Sequence, residues 1–221
     1  MIGGDGWPSL SRSQAVLLIL ALVGLGYLLL QTNTAPIQIS SWRGDQLGEA
    51  VRFGGNQISG EALAIGGLGP APNGNADVPF GNPLAHPRTV LTQGYGVGSH
   101  APASIWGGVD LAIDGDGDGA ADPQGTWDVP VYATHNGIAQ IRPNTWPGGN
   151  YVAISNEVYK TAYAHLARFA VSEGQPVARG QIIGYVGSTG QSSGPHLHYE
   201  VWENGVNRDP AGFGALDGVI R

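Results

Sequence analysis

From about residue 83 onward, apolar and polar residues alternate in short runs that Gly, Pro or Asn residues separate. Runs of roughly four to eight residues with this alternation are typical of half-buried β-strands. They span residues 89–92, 109–113, 129–133, 137–141, 151–154, 160–165, 181–186 and 196–202. The pattern predicts an all-β, mainly antiparallel domain over residues 83–210, with one short helical turn at 166–172.

The last of these runs carries the most information about chemistry. Side chains two positions apart point to the same face of a strand, so we expect His196, His198 and Glu200 on one face and the apolar residues between them on the other. Neutral imidazole is the commonest metal ligand and a common general base near neutral pH. The run is therefore predicted to have one core face and one chemically active face.

A membrane signal lies near the start of the chain. Residues 15–31 contain no charged side chain. A transmembrane helix needs about 17 to 25 residues, so this segment is predicted to be an uncleaved anchor, with a cleaved secretion signal as the alternative. Arg12 precedes it and the next positive charge is Arg43. This order favours a cytoplasmic or interfacial segment at 1–14 and a C-terminal domain outside the cytoplasmic membrane, on the periplasmic, cell-wall or virion-membrane side.

The segment between the anchor and the β-domain differs from both. Residues 32–82 are rich in Gly and Pro and only weakly periodic. Such turn-rich sequence predicts a tether. Residues 211–221 are predicted to be a short C-terminal tail.

Charge and cysteine content narrow the possible functions. The 221 residues have a formal net charge of −7 and no cluster of Lys and Arg. Nucleic-acid binding is therefore not expected, because the neutralisation of phosphates needs such a cluster. The sequence contains no cysteine, so any metal must be bound by His, Asp or Glu.

A second candidate metal site lies in an acidic run. Asp114, Asp116 and Asp118 alternate with glycine, and Asp122 follows them. Carboxylates at alternate positions resemble the first half of a calcium loop, although Gly125 stands where such a loop ends in an acidic residue. Two interpretations remain open: a calcium site in which Asp122 or Asp128 supplies a further oxygen, and a solvated acidic loop.

Several separate segments of the β-region occur in a familiar order. They are residues 93–96 (QGYG), 108–111 (GVDL), 161–166 (TAYAHL), 173–184 (EGQPVARGQIIG) and 187–201 (GSTGQSSGPHLHYEV). Together, over about residues 89–202, they resemble the lysostaphin-type (LytM-like) zinc metallopeptidases. The resemblance implies a compact antiparallel β-sheet peptidase domain with a groove, a zinc cofactor, and cleavage of peptide bonds in bacterial peptidoglycan.

The resemblance also implies roles for four residues. Asp110 and His198 match zinc ligands of the family, and His165 and His196 match its catalytic pair. Zinc with three protein ligands keeps a position open for water, and a neighbouring imidazole can take a proton from that water.

Two further histidines are expected to lie outside the site. His86 is expected to be structural or incidental, and His135 is expected at an exposed corner between a strand and a turn.

One position departs from the family pattern. Trp106 stands four residues before Asp110, where the family has its first zinc histidine, and an indole nitrogen is only a donor. Three alternatives remain open. A substitute, His100 first and Asp114 second, completes the site; the domain is a catalytically silent pseudo-enzyme; or the site is weak or holds a different metal.

Two functions follow from these observations. The first is a membrane-anchored metalloendopeptidase that hydrolyses peptide cross-links of peptidoglycan. The second is a silent pseudo-peptidase that acts as a wall-binding or assembly module, for example with protein partners in a virus particle or an envelope complex. Whether the protein is an enzyme depends on the third metal ligand.

Overall fold

The computed structural model describes residues 68–221. The predicted N-terminal segment 1–14, the predicted anchor 15–31 and the predicted tether as far as residue 67 lie outside these described residues. Within residues 68–221, no helix is both long enough and apolar enough to cross a membrane.

Short strands dominate the described chain. The strands are β1 (Thr89–Gln93), β2 (Val109–Ile113), β3 (Pro130–Tyr132), β4 (Gly137–Thr145), β5 (Gly149–Ser155), β6 (Tyr159–Ala164), β7 (Leu166–Phe169), β8 (Pro176–Val177), β9 (Ile182–Val186), β10 (Leu197–Glu203) and β11 (Val206–Arg208). The one-turn helices are α1 (Ala103–Trp106) and α2 (Pro123–Thr126), and 3-10 turns span Pro72–Gly74, Gly98–His100 and Pro210–Phe213.

The strands form two sheets. In the larger sheet β1, β2, β10, β6, β5, β4 and β8 lie side by side in that order, and β11 pairs with the end of β10. The smaller sheet has the order β3, β9, β7. All strand pairs of the described region are antiparallel. The prediction of a mainly β, antiparallel domain is therefore confirmed.

The strand β10 shows why one face of the larger sheet remains available for chemistry. Leu197, Tyr199 and Val201 are fully buried in the hydrophobic core, whereas His198 and Glu200 alternate with them and are only partly buried. Burial of a large apolar side chain contributes about 1.5–3 kcal/mol, so a shift of register that exposed this set would be costly. The core therefore fixes the polar face of β10 on the opposite side.

Residues 166–172 do not form the predicted helical turn. Leu166–Phe169 is the strand β7, which pairs with β9. Leu166 is fully buried, and the guanidinium carbon of Arg168 lies 3.3 Å from the centre of the Tyr185 ring on β9. The prediction was wrong because pairing with β9 satisfies backbone groups that one isolated helical turn would leave without partners.

Both ends of the described chain pack onto the β-domain. Leu68 is 1% exposed, and the Arg179 guanidinium donates to the carbonyl oxygens of Leu68 and Phe80 at 2.8 and 3.1 Å. Near the C-terminus, Ile220 forms a parallel bridge with Val90 on β1. Residues 68–82 and 211–221 therefore add to the packing of the domain.

His135 is buried, which contradicts its expected place at an exposed corner. Its exposed fraction is 0%, because residues 76 and 77 cover the turn and the Asn136 amide donates to the Ala76 carbonyl at 2.8 Å. Nδ1 of His135 lies 2.8 Å from the carbonyl oxygen of Asn136, and Nε2 lies 3.1 Å from the hydroxyl of Thr161. Burial lowers the pKa of His135 to about 4, so the ring is neutral at pH 7.

Candidate metal and catalytic site

Two neighbouring strands bring the first two candidate ligands together. The antiparallel register of β2 and β10 puts Asp110 opposite His198, and Nδ1 of His198 lies 2.9 Å from Oδ1 of Asp110. On the other side of β10, His198 is opposite Ala164 on β6. The small side chain of Ala164 leaves space over the sheet for the imidazole.

His100 joins this pair from a loop. It ends the 3-10 turn Gly98–His100 and is 3% exposed. Its Nε2 lies 3.1 Å from Oδ1 of Asp110 and 3.1 Å from Nδ1 of His198. The donor atoms of the three residues all lie within 4.8 Å of one another, which is a spacing that one metal ion could bridge.

The backbone sets the orientation of His100. Its Nδ1 lies 2.9 Å from the carbonyl oxygen of Gly94. A carbonyl oxygen only accepts, so Nδ1 donates to it, and this contact turns Nε2 towards Asp110 and His198. The loop thus presents Nε2 of His100, a type of atom that metals bind, to the other two candidate ligands.

Trp106 occupies a different position from His100. His100 lies ten positions before Asp110 (110 − 100 = 10), and the one-turn helix α1 takes up part of the segment between them. Trp106 ends α1, and its exposed fraction is 45%. His100 is six residues further upstream than Trp106 (106 − 100 = 6), and yet it is the His100 imidazole that contacts Asp110.

His165 and His196 lie beside this group. Their ring centroids are 4.7 Å apart, and Nε2 of His196 lies 3.7 Å from Oδ2 of Asp110. Nδ1 of His165 is 2.8 Å from the carbonyl oxygen of Thr189, and Nδ1 of His196 is 2.8 Å from that of Gly194. Both rings therefore donate through Nδ1 to the backbone and keep Nε2 for chemistry.

The backbone at His165 is unusual. This residue lies between β6 and β7 with a φ of 62°, in the left-handed region that non-glycine residues rarely adopt. Its amide donates to the carbonyl oxygen of Gly148 at 2.9 Å. Such a conformation costs of order 1–3 kcal/mol and tends to occur at functional sites. Here it accompanies the turn that puts the His165 ring beside His196.

The loop after β9 provides the backbone partners of both rings. Thr189 receives a hydrogen bond from the Asn150 amide at 2.9 Å and donates to the Leu166 carbonyl at 2.9 Å. Gly190 has a φ of 74°, and a Cβ there would collide with the backbone of Gly149. The glycine therefore allows the loop to pack closely on the hairpin between β4 and β5.

Burial and neighbouring charged groups act in opposite directions on the pKa values of Asp110 and His198. Burial raises the pKa of Asp110, but hydrogen bonds from His100 and His198 outweigh it and hold this pKa well below its usual range. Burial lowers the pKa of His198, whereas the carboxylates of Asp110 and Glu200 raise it more strongly, to about 9. Without a metal, His198 is therefore protonated at pH 7, and metal binding must displace that proton.

His165 differs from His198 in its charge. Burial lowers the pKa of His165 to about 4, and the hydrogen bond to the Thr189 carbonyl only partly offsets that effect. His165 is therefore neutral at pH 7 and can accept a proton.

A cavity opens beside these residues. Its volume is about 250 Å³, and its lining includes Asp110, His196, Thr92, Pro195 and Pro123. A substrate that entered the cavity would reach Asp110 and His196 directly.

The acidic run forms a separate cluster. Asp114, Asp116 and Asp118 can each offer a carboxylate oxygen within 4.8 Å of the others, and Asp114 is 2% exposed. Backbone amides of Gly117 and Gly119 donate to the Asp114 carboxylate at 2.6 and 3.2 Å. Asp114 is therefore not part of the His100 group.

Asp122 lies outside both groups of converging donor atoms. Its carboxylate caps α2 by accepting from the Gln124 amide at 2.8 Å. The acidic cluster of the described region thus contains three carboxylates.

The partners of the histidines could not be found by sequence reasoning. The carbonyl oxygens of Gly94, Thr189 and Gly194 orient three of the rings. Every residue has a carbonyl, so no residue type identifies these partners. Glu200 is different, because its place on the polar face of the predicted strand is visible in the sequence.

Comparison with known proteins yields one family. Residues 116–210 match Peptidase family M23. The matched segment contains His165, His196 and His198, and it begins after Asp110 and His100.

Three relatives match part of this chain. Peptidoglycan DD-endopeptidase ShyA of Vibrio cholerae is 46% identical over 37% of this chain and 18% of its own length. DD-carboxypeptidase/endopeptidase Mpg of Neisseria meningitidis is 38% identical over 58% of this chain and 27% of its own. Lysostaphin of Staphylococcus simulans is 33% identical over 58% of this chain and 27% of its own.

A solved structure of the lysostaphin catalytic domain has a TM-score of 0.43 and 29% identity, and the match covers 56% of this chain and 90% of that one. Each of the three full-length relatives is matched over less than a third of its own length. The part of the chain that carries His165, His196 and His198 is a Peptidase family M23 domain, homologous to those of ShyA, Mpg and lysostaphin.

Proposed function

We propose that the β-domain is a zinc-dependent metalloendopeptidase that hydrolyses peptide cross-links of peptidoglycan. One observation carries the proposal. Nε2 of His100, Oδ1 of Asp110 and Nδ1 of His198 converge, with pairwise distances of 2.9 to 3.1 Å. His100 is therefore proposed to replace the ligand that Trp106 cannot supply.

The three donor atoms fit zinc. Zinc bonds of about 2.0–2.2 Å in a tetrahedral site put ligand atoms roughly 3.3–3.6 Å apart, so a slight outward movement of the side chains would accommodate the ion. Two neutral imidazoles and one carboxylate also form the kind of three-ligand set that leaves a fourth position open in catalytic zinc sites. His100 is already oriented for this by the Gly94 carbonyl, at 2.9 Å from Nδ1.

The neighbouring histidines supply the proton transfers. Zinc, when bound, supplies Lewis acidity, which makes water more acidic and polarises a peptide carbonyl. His165 is neutral at pH 7, so its Nε2 can accept the proton that water loses as its oxygen attacks the carbonyl carbon. As the C–N bond breaks, a protonated imidazole of the pair His165 and His196 returns a proton to the leaving amine. The imidazolium also stabilises negative charge that develops on the carbonyl oxygen.

The names of the relatives support the substrate class. ShyA is named as a peptidoglycan DD-endopeptidase, and Mpg as a DD-carboxypeptidase/endopeptidase. The segment that matches Peptidase family M23, residues 116–210, contains both proposed catalytic histidines. Peptidoglycan peptides are accordingly the proposed substrate.

The proposed location follows from the substrate. We propose that residues 15–31 anchor the protein and that the β-domain lies outside the cytoplasmic membrane, on the periplasmic, cell-wall or virion-membrane side. When cells that express the full-length chain are fractionated, the protein should be found in the membrane fraction. A variant that lacks residues 15–31 should be found in the soluble fraction. Recovery of the intact full-length chain in the cytosolic fraction would contradict the anchor.

Metal content and wall digestion test the enzymatic proposal. Purified full-length protein should contain about one zinc per chain and should release peptides from peptidoglycan. Trp106→His should leave the zinc content unchanged, because the site is already complete. A protein without zinc that gains zinc and activity through Trp106→His would establish the alternative, a silent wall-binding or assembly module.

A further inference from the structure

Glu200 continues the polar face of β10 beyond the proposed zinc ligand. It follows His198 by two residues and lies opposite Ala162 on β6. Its Oε1 is 3.2 Å from Nε2 of His198. A carboxylate only accepts, so Nε2 of His198 carries the proton in this contact.

Trp202 holds the other oxygen of Glu200. The indole N–H of Trp202 donates to Oε2 of Glu200 at 2.6 Å. The Lys160 ammonium, opposite Trp202 on β6, lies 4.2 Å from the centre of the indole ring. Both oxygens of Glu200 therefore have partners, and the partner of Oε2 is itself packed against the neighbouring strand.

The His198 ring is also confined from the side of β2. A Cβ on Gly108 would lie 2.5 Å from Cε1 and 2.7 Å from Nε2 of His198. Such contacts are closer than side chains normally tolerate, so the glycine allows the ring to lie against the backbone before β2. The ring is thus limited by Gly108 on one side and by Glu200 at Nε2.

We propose that Glu200 is a positioning residue that keeps Nδ1 of His198 directed at the metal, and that Trp202 acts through Glu200. This inference rests on the proposed zinc site. A ligating imidazole that donates its other N–H to a carboxylate has its tautomer and its ring orientation fixed, and it becomes a stronger ligand. Glu200 thereby prepares His198 as the Gly94 carbonyl prepares His100.

Zinc affinity of full-length variants tests this role. Competition with a chromogenic chelator would measure zinc binding for the wild type, Glu200→Gln, Glu200→Ala and Trp202→Phe. Glu200→Ala should weaken zinc binding by about 10- to 100-fold, and Glu200→Gln by less, because the amide oxygen still accepts from Nε2. Trp202→Phe should weaken binding only in the presence of Glu200, so its effect should vanish in the Glu200→Ala background.

A spectroscopic signature separates positioning from general stability. In nitrogen-15 NMR spectra of the zinc-bound wild type, His198 should be protonated at Nε2, and Glu200→Ala should shift that signal. The matched control is Glu203→Gln, because Glu203 lies on the same strand and contacts Arg208 at 3.2 Å. This control should leave both the zinc affinity and the His198 signal unchanged.

The outcomes distinguish the two proposals. A wild type that binds zinc while Glu200→Ala binds it equally well would overturn the role of Glu200 alone. A weakening that Glu203→Gln reproduces would also overturn it, since the effect would then not be specific to the contact with His198. A folded wild type that binds no zinc would overturn the zinc site and the role of Glu200 together.

Discussion

Asp110 and His198 form the strand side of the proposed metal site, and His100 forms its loop side. The two sides are positioned in different ways. On the strand side, β2 and β10 pair so that Asp110 and His198 are opposite each other. On the loop side, the segment before β2 brings in His100, which is ten residues from Asp110 (110 − 100 = 10). A register between strands fixes relative positions residue by residue, whereas a loop can supply a side chain from more than one position along its length.

The loop side is nonetheless held by specific contacts. His100 is 3% exposed, and its Nδ1 is bound to the Gly94 carbonyl at 2.9 Å. A ring nitrogen can thus lie within 3.1 Å of Asp110 although its residue stands ten positions upstream, and the proposed zinc site therefore needs no histidine at position 106.

Removal of the ligand on the strand side should have the largest effect. His198→Ala takes away a donor atom 2.9 Å from Asp110, so zinc affinity should fall by more than the roughly 100-fold that loss of a supporting residue costs. Metal analysis after dialysis would measure this, and His86→Ala is the matched control. One zinc per chain in the dialysed His198→Ala protein would contradict the assignment.

The proposed proton acceptor should behave differently from a ligand. His165→Ala should lower peptide release from peptidoglycan by about 100- to 10,000-fold, because proton transfer by a positioned side chain contributes on that order. Its zinc content should stay at the wild-type level, since the Nε2 atom of His165 is not among the three converging donor atoms. Loss of zinc together with activity would move His165 from the catalytic pair to the metal site.

Acid should destabilise the fold through His135, which is buried outside the site. Unfolded His135 binds a proton below about pH 6.5, whereas the folded residue, with a pKa of about 4, does not. Between these pH values the unfolded state therefore binds more protons than the folded state. The contribution of His135 to the free energy of unfolding is fully present above about pH 6.5, and it falls by about 3 kcal/mol as the pH drops to about 4. Denaturant unfolding of the zinc-free protein would show this decline, which should be smaller in His135→Gln. Equal declines in both proteins would contradict it.

The acidic loop should give the smallest effect. The calcium site at Asp114, Asp116 and Asp118 stays a prediction. If calcium binds there with a concentration tenfold above its dissociation constant, the protein should gain about 1.4 kcal/mol. Thermal unfolding with and without calcium would detect the gain, and Asp116→Ala should abolish it. An unchanged melting temperature in the wild type would favour a solvated acidic loop.

The parts of the fold that the sequence predicted share a clear apolar alternation. The run 109–113 coincides with β2, and the run 196–202 largely coincides with β10. In both strands the side chains of one face are buried in the core. Pro176–Val177 and Val206–Arg208 are too short to show a period, so β8 and β11 could not be recognised. Leu166–Phe169 has only four residues, too few to show a period, and its pairing with β9 makes it a strand.

The candidate site could be predicted as a set of residues but not as an arrangement. Asp110, His165, His196 and His198 stand in motifs, and the structure brings their side chains together. His100 could only be named as a candidate, because its position depends on the turn Gly98–His100 and on the Gly94 carbonyl. His135 could not be recognised as buried, because residues nearly 60 positions upstream cover it (135 − 76 = 59).

The zinc content of His100→Ala bears most directly on whether the loop completes the site. Full-length wild type, His100→Ala and the control His86→Ala would be purified in parallel, dialysed against zinc-free buffer and analysed for metal. We predict about one zinc per chain in the wild type and in His86→Ala, and almost none in His100→Ala, with peptide release from peptidoglycan lost in the same variant. An equal amount of zinc in His100→Ala and in the wild type would show that His100 is not the third ligand.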